Sequence, residues 1–335
     1  MYSRLRRILF RLDPEVSHQL TLNALRLAGN FLLSNELLAQ LYKTSPKPVH
    51  VFGLTFKNPI GLAAGYDKDA VAINGLCALG FGHVEVGTVT PKPQPGNPHP
   101  RVFRLLEDDA VINRMGFPSQ GMAKVAGRMS KVGSRREVIV GVNLGKNKDT
   151  PLEEAAHDYI ELMRRFMRYA DYLTINISSP NTVGLRRLQG REMLEDLLGQ
   201  INVERGTWDL KLPILVKISP DLNDEELDDA IGVILDNGMD GIVATNTTLL
   251  REGLKSKHQA ETGGLSGVPL KVRSEAVLSR VVNLVNGRVP IISAGGIMNS
   301  EDAKKRLALG ASLIQVYTGL IYRGPKLIRE VVEGI

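Results

Sequence analysis

Eight short apolar segments rich in Val and Ile alternate with helical patterns over most of the 335-residue chain, and this alternation constrains the fold more than any other feature. The segments lie at 60–65, 82–88, 138–145, 172–179, 213–219, 241–247, 290–296 and 312–319. Continuous apolar strands separated by amphipathic helices indicate a parallel sheet buried on both faces. Eight such units in roughly 250–290 residues match a closed (β/α)8 barrel, which we predict for residues 45–335.

The competing fold is an open, doubly wound α/β sheet. That fold commonly binds a dinucleotide at a strand–GxGxxG–helix unit, and the sequence contains no such unit. Polar residues instead recur at the carboxyl ends of the predicted strands, where barrel enzymes carry their chemistry. The pattern therefore favours an α/β protein with a (β/α)8 TIM barrel and a small N-terminal helical extension.

Composition narrows the classes of partner and compartment. A formal charge of +6 is a mild bias toward anionic partners and is too weak to imply nucleic acid. The one cysteine, Cys77, excludes an internal disulfide and a multi-cysteine metal site, so we expect a reducing compartment and assign no metal. No apolar run approaches the ~18 residues of a membrane-spanning helix, and no secretory cleavage site follows the N-terminus. We therefore expect a protein that is neither secreted nor transmembrane.

Residues 1–44 form the predicted helical extension. The first segment combines apolar residues at helical spacing with basic ones: Leu5, Ile8, Leu9, Leu12, Arg4, Arg6, Arg7 and Arg11. This pattern is typical of a basic amphipathic helix. The extension is interpreted either as a cap that buries part of the barrel or as a membrane-surface module whose arginines contact anionic lipid, and the two are compatible. Asp13 and Pro14 predict the capped start of a second helix, and Ser34 is a candidate cap for a third. The prolines at 44–48 break any helix and set the boundary of the extension.

Two long insertions interrupt the regular alternation. The first covers residues 89–118 and contains five prolines between Pro91 and Pro100. The second covers residues 248–269. Loops of this length inside a compact fold are usually functional or mobile, so we expect both near the site.

Amides, hydroxyls and lysines dominate the predicted strand ends. The residues there are Ala64, Gly65, Asp67, Lys68, Thr88, Asn143, Asn176, Ser178, Ser179, Asn181, Lys217, Thr245, Asn246, Thr247, Gly295, Gly296, Tyr317 and Thr318. Several amides converging on one pocket suit a flat ligand with alternating C=O and N–H edges, such as a flavin or a pyrimidine. No carboxylate pair or His–Asp pair occurs at these positions, so we expect a cofactor to supply the chemistry.

Glycines cluster near the ends of the later strands, at Gly264, Gly267, Gly295 and Gly296. Each glycine alone is explained by a tight strand-to-helix turn. Together they favour a phosphate site, because the later strands of barrels commonly bind phosphate through backbone N–H groups.

Five sequence motifs resemble the dihydroorotate dehydrogenase family, and specifically its class 2, quinone-linked, membrane-associated members. They are GLAAGYDK at 61–68, GTVTPKPQPGN at 87–97, NRMGF at 113–117, NISSPNT at 176–182 and TNTT at 245–248. The resemblance extends over nearly the whole chain. It implies an FMN enzyme that oxidises (S)-dihydroorotate to orotate in pyrimidine biosynthesis and passes the electrons to a membrane quinone.

The resemblance also implies site residues. Those similar to the family's FMN contacts are Ala64, Gly65, Tyr66, Asp67, Lys68, Thr88, Asn143, Asn176, Lys217, Thr245, Gly267, Gly296, Tyr317 and Thr318. Those similar to its substrate contacts are Lys68, Asn113, Arg114, Met115, Gly116, Phe117, Asn176, Asn181, Asn246 and Thr247. A ring with urea-like edges and a carboxylate needs amide partners and a cation, which Lys68 supplies.

Ser179 is the predicted catalytic base. Class 1 relatives carry cysteine in the matching loop, whereas Cys77 falls on a predicted helix after the first strand and is interpreted as a core residue. Serine at this position therefore favours class 2. Lys217 sits in the apolar strand ILVKI and has little reason to be there without an anionic partner, so we expect it beside the flavin.

In the class 2 resemblance the helical extension forms the quinone tunnel, and His18, Arg104 and Tyr317 are similar to residues proposed to line it. It implies peripheral attachment to the cytoplasmic side of the inner membrane, with no nucleic acid and no obligatory protein subunit. The residues alone leave two rival functions open. One is a flavin barrel that reduces another pyrimidine or a tRNA uridine, and the other is a non-catalytic phosphate-binding barrel that associates with membranes.

Overall fold

The computed structural model describes residues 2–132 and 138–335. The strands are β1 Val49–Val51, β2 Leu54–Phe56, β3 Ile60–Leu62, β4 His83–Val89, β5 Val102–Leu105, β6 Ala110–Asn113, β7 Ile139–Leu144, β8 Tyr172–Asn176, β9 Ile214–Ile218, β10 Gly241–Ala244, β11 Gly264–Gly267, β12 Ile291–Ala294 and β13 Leu313–Val316. The helices are α1 Tyr2–Leu9, α2 Pro14–Asn30, α3 Leu32–Leu41, α4 Ile73–Cys77, α5 Met122–Met129, α6 Ala155–Phe166, α7 Arg191–Arg205, α8 Asp224–Asp236, α9 Lys271–Val285, α10 Ser300–Ala308, α11 Thr318–Arg323 and α12 Lys326–Gly334.

The eight strands β3, β4, β7, β8, β9, β10, β12 and β13 form a closed parallel barrel. They pair in chain order, and β13 closes the barrel on β3 through parallel pairs such as Ile314 with Ile60. Each strand overlaps one of the eight apolar segments, so the predicted barrel is confirmed. The strands are buried on both faces because helices cover the outside and side chains fill the inside.

A short hairpin of β1 and β2 closes the amino end of the barrel. Phe56 from this hairpin joins a buried apolar cluster with Tyr172, Leu215 and Leu313, which are near the starts of their strands. The ring of His83 stands edge-on to Phe56, with ring centroids 5.4 Å apart. This hairpin is absent from the sequence-based prediction, which begins its first strand at residue 60.

The two long insertions meet in a three-stranded antiparallel sheet of β5, β6 and β11. β11 from the second insertion pairs with β6 from the first, with Asn113 opposite Gly264 and Ala110 opposite Gly267. The sequence predicts loops at both places, whereas the structure has two strands in the first insertion and one in the second. The sheet fastens the two insertions together beside the carboxyl ends of the barrel strands.

The N-terminal extension consists of three helices. Asp13 caps α2, accepting hydrogen bonds from the backbone N–H groups of Glu15 at 2.9 Å and Val16 at 3.2 Å, which confirms that predicted start. The predicted cap of the third helix is wrong. α3 already begins at Leu32, and the Ser34 hydroxyl donates back to the Ala28 carbonyl at 2.7 Å instead of receiving an N–H group.

The extension packs on the barrel where α2 crosses α4. A Cβ atom on Gly75 would lie 2.1 Å from the Leu25 carbonyl oxygen, and one on Gly29 would lie 2.4 Å from the Gly75 nitrogen. The two glycines therefore allow the helix backbones to touch. Cys77 ends α4 and is half-buried against the core, as its helical position predicted. Among the residues that the structure describes, no helix has the length and apolar character needed to cross a bilayer.

Candidate active site

One cavity of about 710 Å³ joins the carboxyl ends of the barrel strands to the N-terminal extension. Its wall includes Leu5 from α1 and Leu38 from α3 as well as Asn176 and Lys217 from the barrel. The residues predicted from the sequence that line it are His18, Ala64, Gly65, Tyr66, Lys68, Thr88, Arg104, Asn113, Met115, Gly116, Phe117, Asn176, Ser179, Asn181, Lys217, Thr245, Asn246, Thr247, Gly267, Gly296, Tyr317 and Thr318. The fold thus brings most of the predicted set to one surface.

Three predicted contact residues are not part of the cavity wall. The buried Asp67 carboxylate accepts hydrogen bonds from the backbone N–H groups of Val71 and Ala72, both at 2.8 Å, and so closes the turn after β3. Arg114 pairs with Glu261 at 2.6 Å in the other insertion. Neither the Asp67 nor the Arg114 side chain therefore lies on the cavity wall. The third residue, Asn143, lies one hydrogen bond behind the wall.

A chain of side-chain amides runs across three of the strand ends. Asn143 Oδ1 accepts hydrogen bonds from Thr88 Oγ1 at 2.6 Å and from Asn176 Nδ2 at 2.9 Å. Asn176 Oδ1 in turn accepts from Ser178 Oγ at 3.1 Å and from Asn246 Nδ2 at 3.4 Å. Each amide therefore has a fixed orientation before any ligand arrives, which is what specific recognition of a flat polar ring requires.

A second group of amides links the first insertion to the loop after β8. Asn181 Nδ2 donates to Asn113 Oδ1 at 3.2 Å. Asn97 Nδ2 donates to the carbonyl oxygens of Asn181 at 3.1 Å and Arg114 at 2.9 Å. Asn97 lies within a resembling motif, although no sequence pattern predicts a role for its side chain. It holds the insertion over the strand ends.

Ser179 lies in the loop after β8, on the cavity wall, with 4% of its surface exposed. Its Oγ atom accepts a hydrogen bond from the Asn181 backbone N–H at 3.2 Å. Among the described residues, no imidazole, carboxylate or amine forms a hydrogen bond with it. The geometry thus provides a buried hydroxyl on the wall without the base partner of a conventional triad.

Lys68 carries its amine into the same cavity from the loop after β3. The amine donates to the Gly65 carbonyl, which also accepts from Tyr317 Oη at 3.2 Å. Desolvation by burial lowers the pKa of Lys68 to about 8, against a partial opposing effect of Asp69. An anionic ligand would favour the charged form of this lysine.

Lys217 projects from the end of β9 and is 5% exposed. Burial lowers its pKa, and the carboxylate of Glu85 opposes that effect. Glu85 is fully buried inside the barrel, where it accepts from Asn143 Nδ2 at 2.8 Å. Glu85 lies within its strand and not at the carboxyl end, so the strand-end pattern does not predict it. The available signal is a carboxylate within the fully buried, mostly apolar strand HVEVGTV.

The glycine cluster divides into two groups. Gly267, Gly295 and Gly296 line the cavity with positive φ angles of 97°, 117° and 72°. A side chain at Gly296 would lie 2.5 Å from the Cα atom of Lys271, so the backbone there approaches α9 closely. Gly264 instead packs β11 against Thr247 and does not line the cavity.

Three aromatic rings connect the extension to the strand ends. His18 on α2 contacts Tyr66, and Tyr66 contacts Tyr317 edge-on with ring centroids 5.8 Å apart. Burial and the nearby Lys68 charge lower the pKa of His18 to about 4. Arg104 also reaches the cavity, where its guanidinium donates to the Leu9 carbonyl at 3.1 Å and so ties the end of α1 to β5.

Comparison with known proteins identifies the family. The family model for dihydroorotate dehydrogenase matches residues 48–335. A curated relative from Shewanella woodyi, named dihydroorotate dehydrogenase (quinone), is 46% identical over 99% of this chain and 98% of its own length. A relative of the same name from Roseiflexus is 48% identical over 100% of this chain and 93% of its own. The crystal structure of an Eimeria tenella dihydroorotate dehydrogenase in complex with ferulenol has a TM-score of 0.87 at 41% identity, covering 98% and 93% of the two chains.

The barrel, its amide-lined site and the family match thus define an oxidoreductase of the (β/α)8 class, from a family whose members use a flavin. The chain belongs to the dihydroorotate dehydrogenase family. Its place is with class 2, because the quinone-linked relatives match it over the helical extension as well as the barrel.

Proposed function

We propose that this protein oxidises (S)-dihydroorotate to orotate in pyrimidine biosynthesis and passes the electrons through FMN to a membrane quinone. The barrel site and the helical extension share one continuous cavity, and this supports the proposal most directly. A polar region at the strand ends suits the substrate and cofactor. The apolar region beneath the helices suits a lipophilic electron acceptor.

The residues present fit FMN. Lys217 is a buried amine on the cavity wall with no hydrogen bond to any described residue, which suits a negatively charged flavin edge. Gly267, Gly295 and Gly296 bring bare backbone to the wall, which suits a phosphate. FMN, when bound, accepts a hydride from the substrate and releases the electrons to the quinone.

The substrate region lies where Lys68 meets the amides. The Lys68 ammonium offers a charge to the substrate carboxylate, while Asn113, Asn181 and Asn246 offer donors and acceptors to the ring edges. Hydrogen bonds to charged groups contribute about 1.5–3 kcal/mol each, so Lys68 is the largest single contributor to substrate affinity in this proposal.

Ser179 is the proposed base. Oxidation of the CH–CH bond removes a proton from one ring carbon and a hydride from its neighbour. Ser179 Oγ takes the carbon-bound proton while its own hydroxyl proton passes to a water molecule, which carries it to solvent. Its hydroxyl is buried on the wall and receives the Asn181 N–H, which favours negative charge on the oxygen. Burial excludes bulk water from the reacting atoms.

The extension is the proposed membrane and quinone module. It presents a group of exposed apolar side chains, all at least 39% exposed: Leu5, Ile8, Leu12, Val16, Leu20, Leu27, Phe31, Leu32, Leu33, Leu37 and Leu41. Exposed arginines Arg4, Arg7 and Arg11 accompany them on and after α1. This combination suits peripheral binding to an anionic bilayer. We assign the protein to the cytoplasmic side of the inner membrane.

An anaerobic mixing experiment tests the function. Purified protein is expected to be yellow, to bleach when dihydroorotate is added, and to recover its colour with a soluble quinone. A protein that takes up no FMN would refute the proposal, and bleaching by another pyrimidine in place of dihydroorotate would favour the rival reductase. Co-sedimentation with vesicles that contain phosphatidylglycerol tests the membrane assignment, and equal binding to neutral vesicles would contradict the role of the arginines.

A further inference from the structure

Glu85 lies in the middle of β4 with its side chain inside the barrel, beneath the cavity. Its partners come from strands on both sides: Asn143 on β7, Tyr172 on β8 and Gln315 on β13. Glu85 is 0% exposed and does not line the cavity. Neither substrate nor cofactor can reach it, so any effect on the reaction passes through its neighbours.

Three donors surround the Glu85 carboxylate. Asn143 Nδ2 reaches Oε1 at 2.8 Å, while Gln315 Nε2 and Tyr172 Oη reach Oε2 at 2.8 and 3.1 Å. Burial and the Glu85 charge raise the pKa of Tyr172, so the phenol keeps its proton and donates. An ionised carboxylate satisfies three donors, whereas a carboxylic acid would place its own proton against one of them.

This carboxylate sets the direction of the amide chain above it. Because Glu85 only accepts, Asn143 must turn its NH2 group down and its oxygen up toward Asn176. Asn176 must then donate to Asn143, and its own oxygen is left to accept from Asn246. Reversing any one amide would bring two donors or two acceptors together, so the orientation propagates from Glu85 to the substrate region.

The charge of Glu85 also acts on Lys217, where it opposes the lowering of the pKa by burial. Both residues are buried, Glu85 at 0% and Lys217 at 5% exposure. A carboxylate at this position offsets part of the lysine's positive charge in a region of low dielectric. The potential felt at the proposed flavin edge therefore depends on both residues.

We propose that Glu85 is a positioning residue, whose buried carboxylate fixes the donor–acceptor direction of the chain Asn143–Asn176–Asn246 and sets the potential at the flavin site together with Lys217. This inference rests on the proposed function. It assigns a role to a residue that touches neither ligand.

The test is Glu85→Gln in the FMN-loaded protein. This change keeps the size of the side chain, removes its charge and places an NH2 donor among the three existing donors. Two quantities are measured: the midpoint potential of the bound FMN, and the dissociation constant of orotate from its effect on the flavin absorbance. We expect the potential to become more positive, since a nearby negative charge is removed. We expect the orotate dissociation constant to rise about tenfold, because Asn143 and the amides above it lose their fixed direction.

Two further variants separate positioning from general structural damage. Glu85→Asp keeps the charge but withdraws it from Asn143, so orotate binding should weaken several-fold while the potential stays near the wild-type value. Tyr172→Phe removes one donor and leaves the contact with Asn143, so orotate affinity should stay within about threefold. If Glu85→Gln does not accumulate with FMN bound, Glu85→Asp decides: unchanged orotate affinity in that variant overturns the proposal.

The outcomes also separate this inference from the proposed function. Wild-type protein that binds no FMN, or shows no orotate-dependent change, refutes the function itself. A normal wild type with an unchanged potential and unchanged orotate affinity in Glu85→Gln overturns only the role of Glu85. The role of Glu85 would also be overturned if Glu85→Gln and Glu85→Asp lowered the melting temperature but changed neither the FMN potential nor the orotate affinity. That result is expected for a residue with a purely structural role.

Discussion

The ring of His18 on α2 meets the ring of Tyr66 edge-on, with centroids 4.9 Å apart and planes at 79°. One residue belongs to the helical extension and the other to the loop after the first barrel strand. This contact is where the proposed quinone region borders the proposed flavin region. It offers a way to disturb one half of the reaction without the other.

Replacing His18 with alanine should lower quinone turnover about tenfold, equivalent to roughly 1.4 kcal/mol, because the wall beside Tyr66 loses a ring. Flavin reduction by dihydroorotate should change less than twofold in stopped-flow measurements. Gln19→Ala, on the exposed side of the same helix, is the matched control and should behave as wild type. Since the pKa of His18 is about 4, the ring is neutral at physiological pH, so its titration should leave no inflection near pH 6.5. An equal loss in both half-reactions would contradict the assignment.

Ser179→Ala should slow flavin reduction by dihydroorotate about 10²- to 10⁴-fold, the range expected for removal of a general base. FMN should remain bound, because the proposed flavin contacts are other residues. Ser179→Cys should recover part of the rate with its pH profile displaced to lower pH, since a thiol loses its proton far more readily than a hydroxyl. Rapid reduction in Ser179→Ala would place the base elsewhere.

Orotate affinity should fall as the pH rises through about 8, because the Lys68 ammonium, whose pKa burial lowers to about 8, loses its charge there. Bound orotate favours the charged lysine, so the complex should titrate at a higher pH than the free protein. Lys68→Met should weaken binding about 10- to 100-fold at pH 7 and remove this pH dependence. Lys326→Met, at an exposed position on the same cavity, should retain both. Titration of orotate between pH 7 and 9 compares the three proteins, and an identical pH profile in Lys68→Met would exclude Lys68 as the cause.

Gly75→Ala should separate α2 from α4, because even one methyl group would lie 2.1 Å from the Leu25 carbonyl oxygen. We expect a loss of about 1–3 kcal/mol in the free energy of unfolding and a larger loss of quinone turnover than of orotate affinity. Gly232→Ala on α8 has open space around the added methyl and should be neutral or stabilise by up to about 1 kcal/mol. Denaturant melts and steady-state assays check both. A Gly75→Ala protein as stable as the control would show that the helix contact is not close.

His83 should make the fold sensitive to acid. Burial lowers its pKa to about 3, whereas it is about 6.5 in an unfolded chain, so the unfolded state binds the extra proton between these values. Stability from this residue is therefore complete above pH 6.5 and is lost as the pH falls toward 3. His83→Leu should flatten the pH dependence of unfolding across this window. A variant with the same slope as wild type would assign the acid sensitivity to other groups.

The sequence predicted the barrel well because its physical signal is local. Each barrel strand is buried on both faces and therefore appears as an apolar run of its own. The pairing of β6 with β11 joins residues about 150 positions apart, with 110–113 opposite 264–267, and neither segment is a continuous apolar run. Long-range pairing of this kind leaves no periodic signal in a single sequence.

The candidate site was predictable where its residues stand at strand ends, and less so elsewhere. Asp67 and Arg114 stand in the resembling motifs, yet their side chains serve a turn and an ion pair outside the cavity. Glu85 and Asn97 act behind the wall, and only three-dimensional contacts show this. Position along a strand therefore predicts which residues face a ligand. It does not predict which other residues orient those ligand-facing side chains.

The barrel interior changes character along its axis, from the apolar group of Phe56 and Tyr172 at the hairpin end to the asparagines at the opposite end. Stability and activity therefore depend on residues at opposite ends of the same barrel. Substitutions at the amino end of the barrel are expected to alter stability to heat or acid. Substitutions at the carboxyl end are expected to alter substrate choice and rate. Stability and activity can therefore be selected in separate mutant libraries, and the selected substitutions can then be combined in one chain.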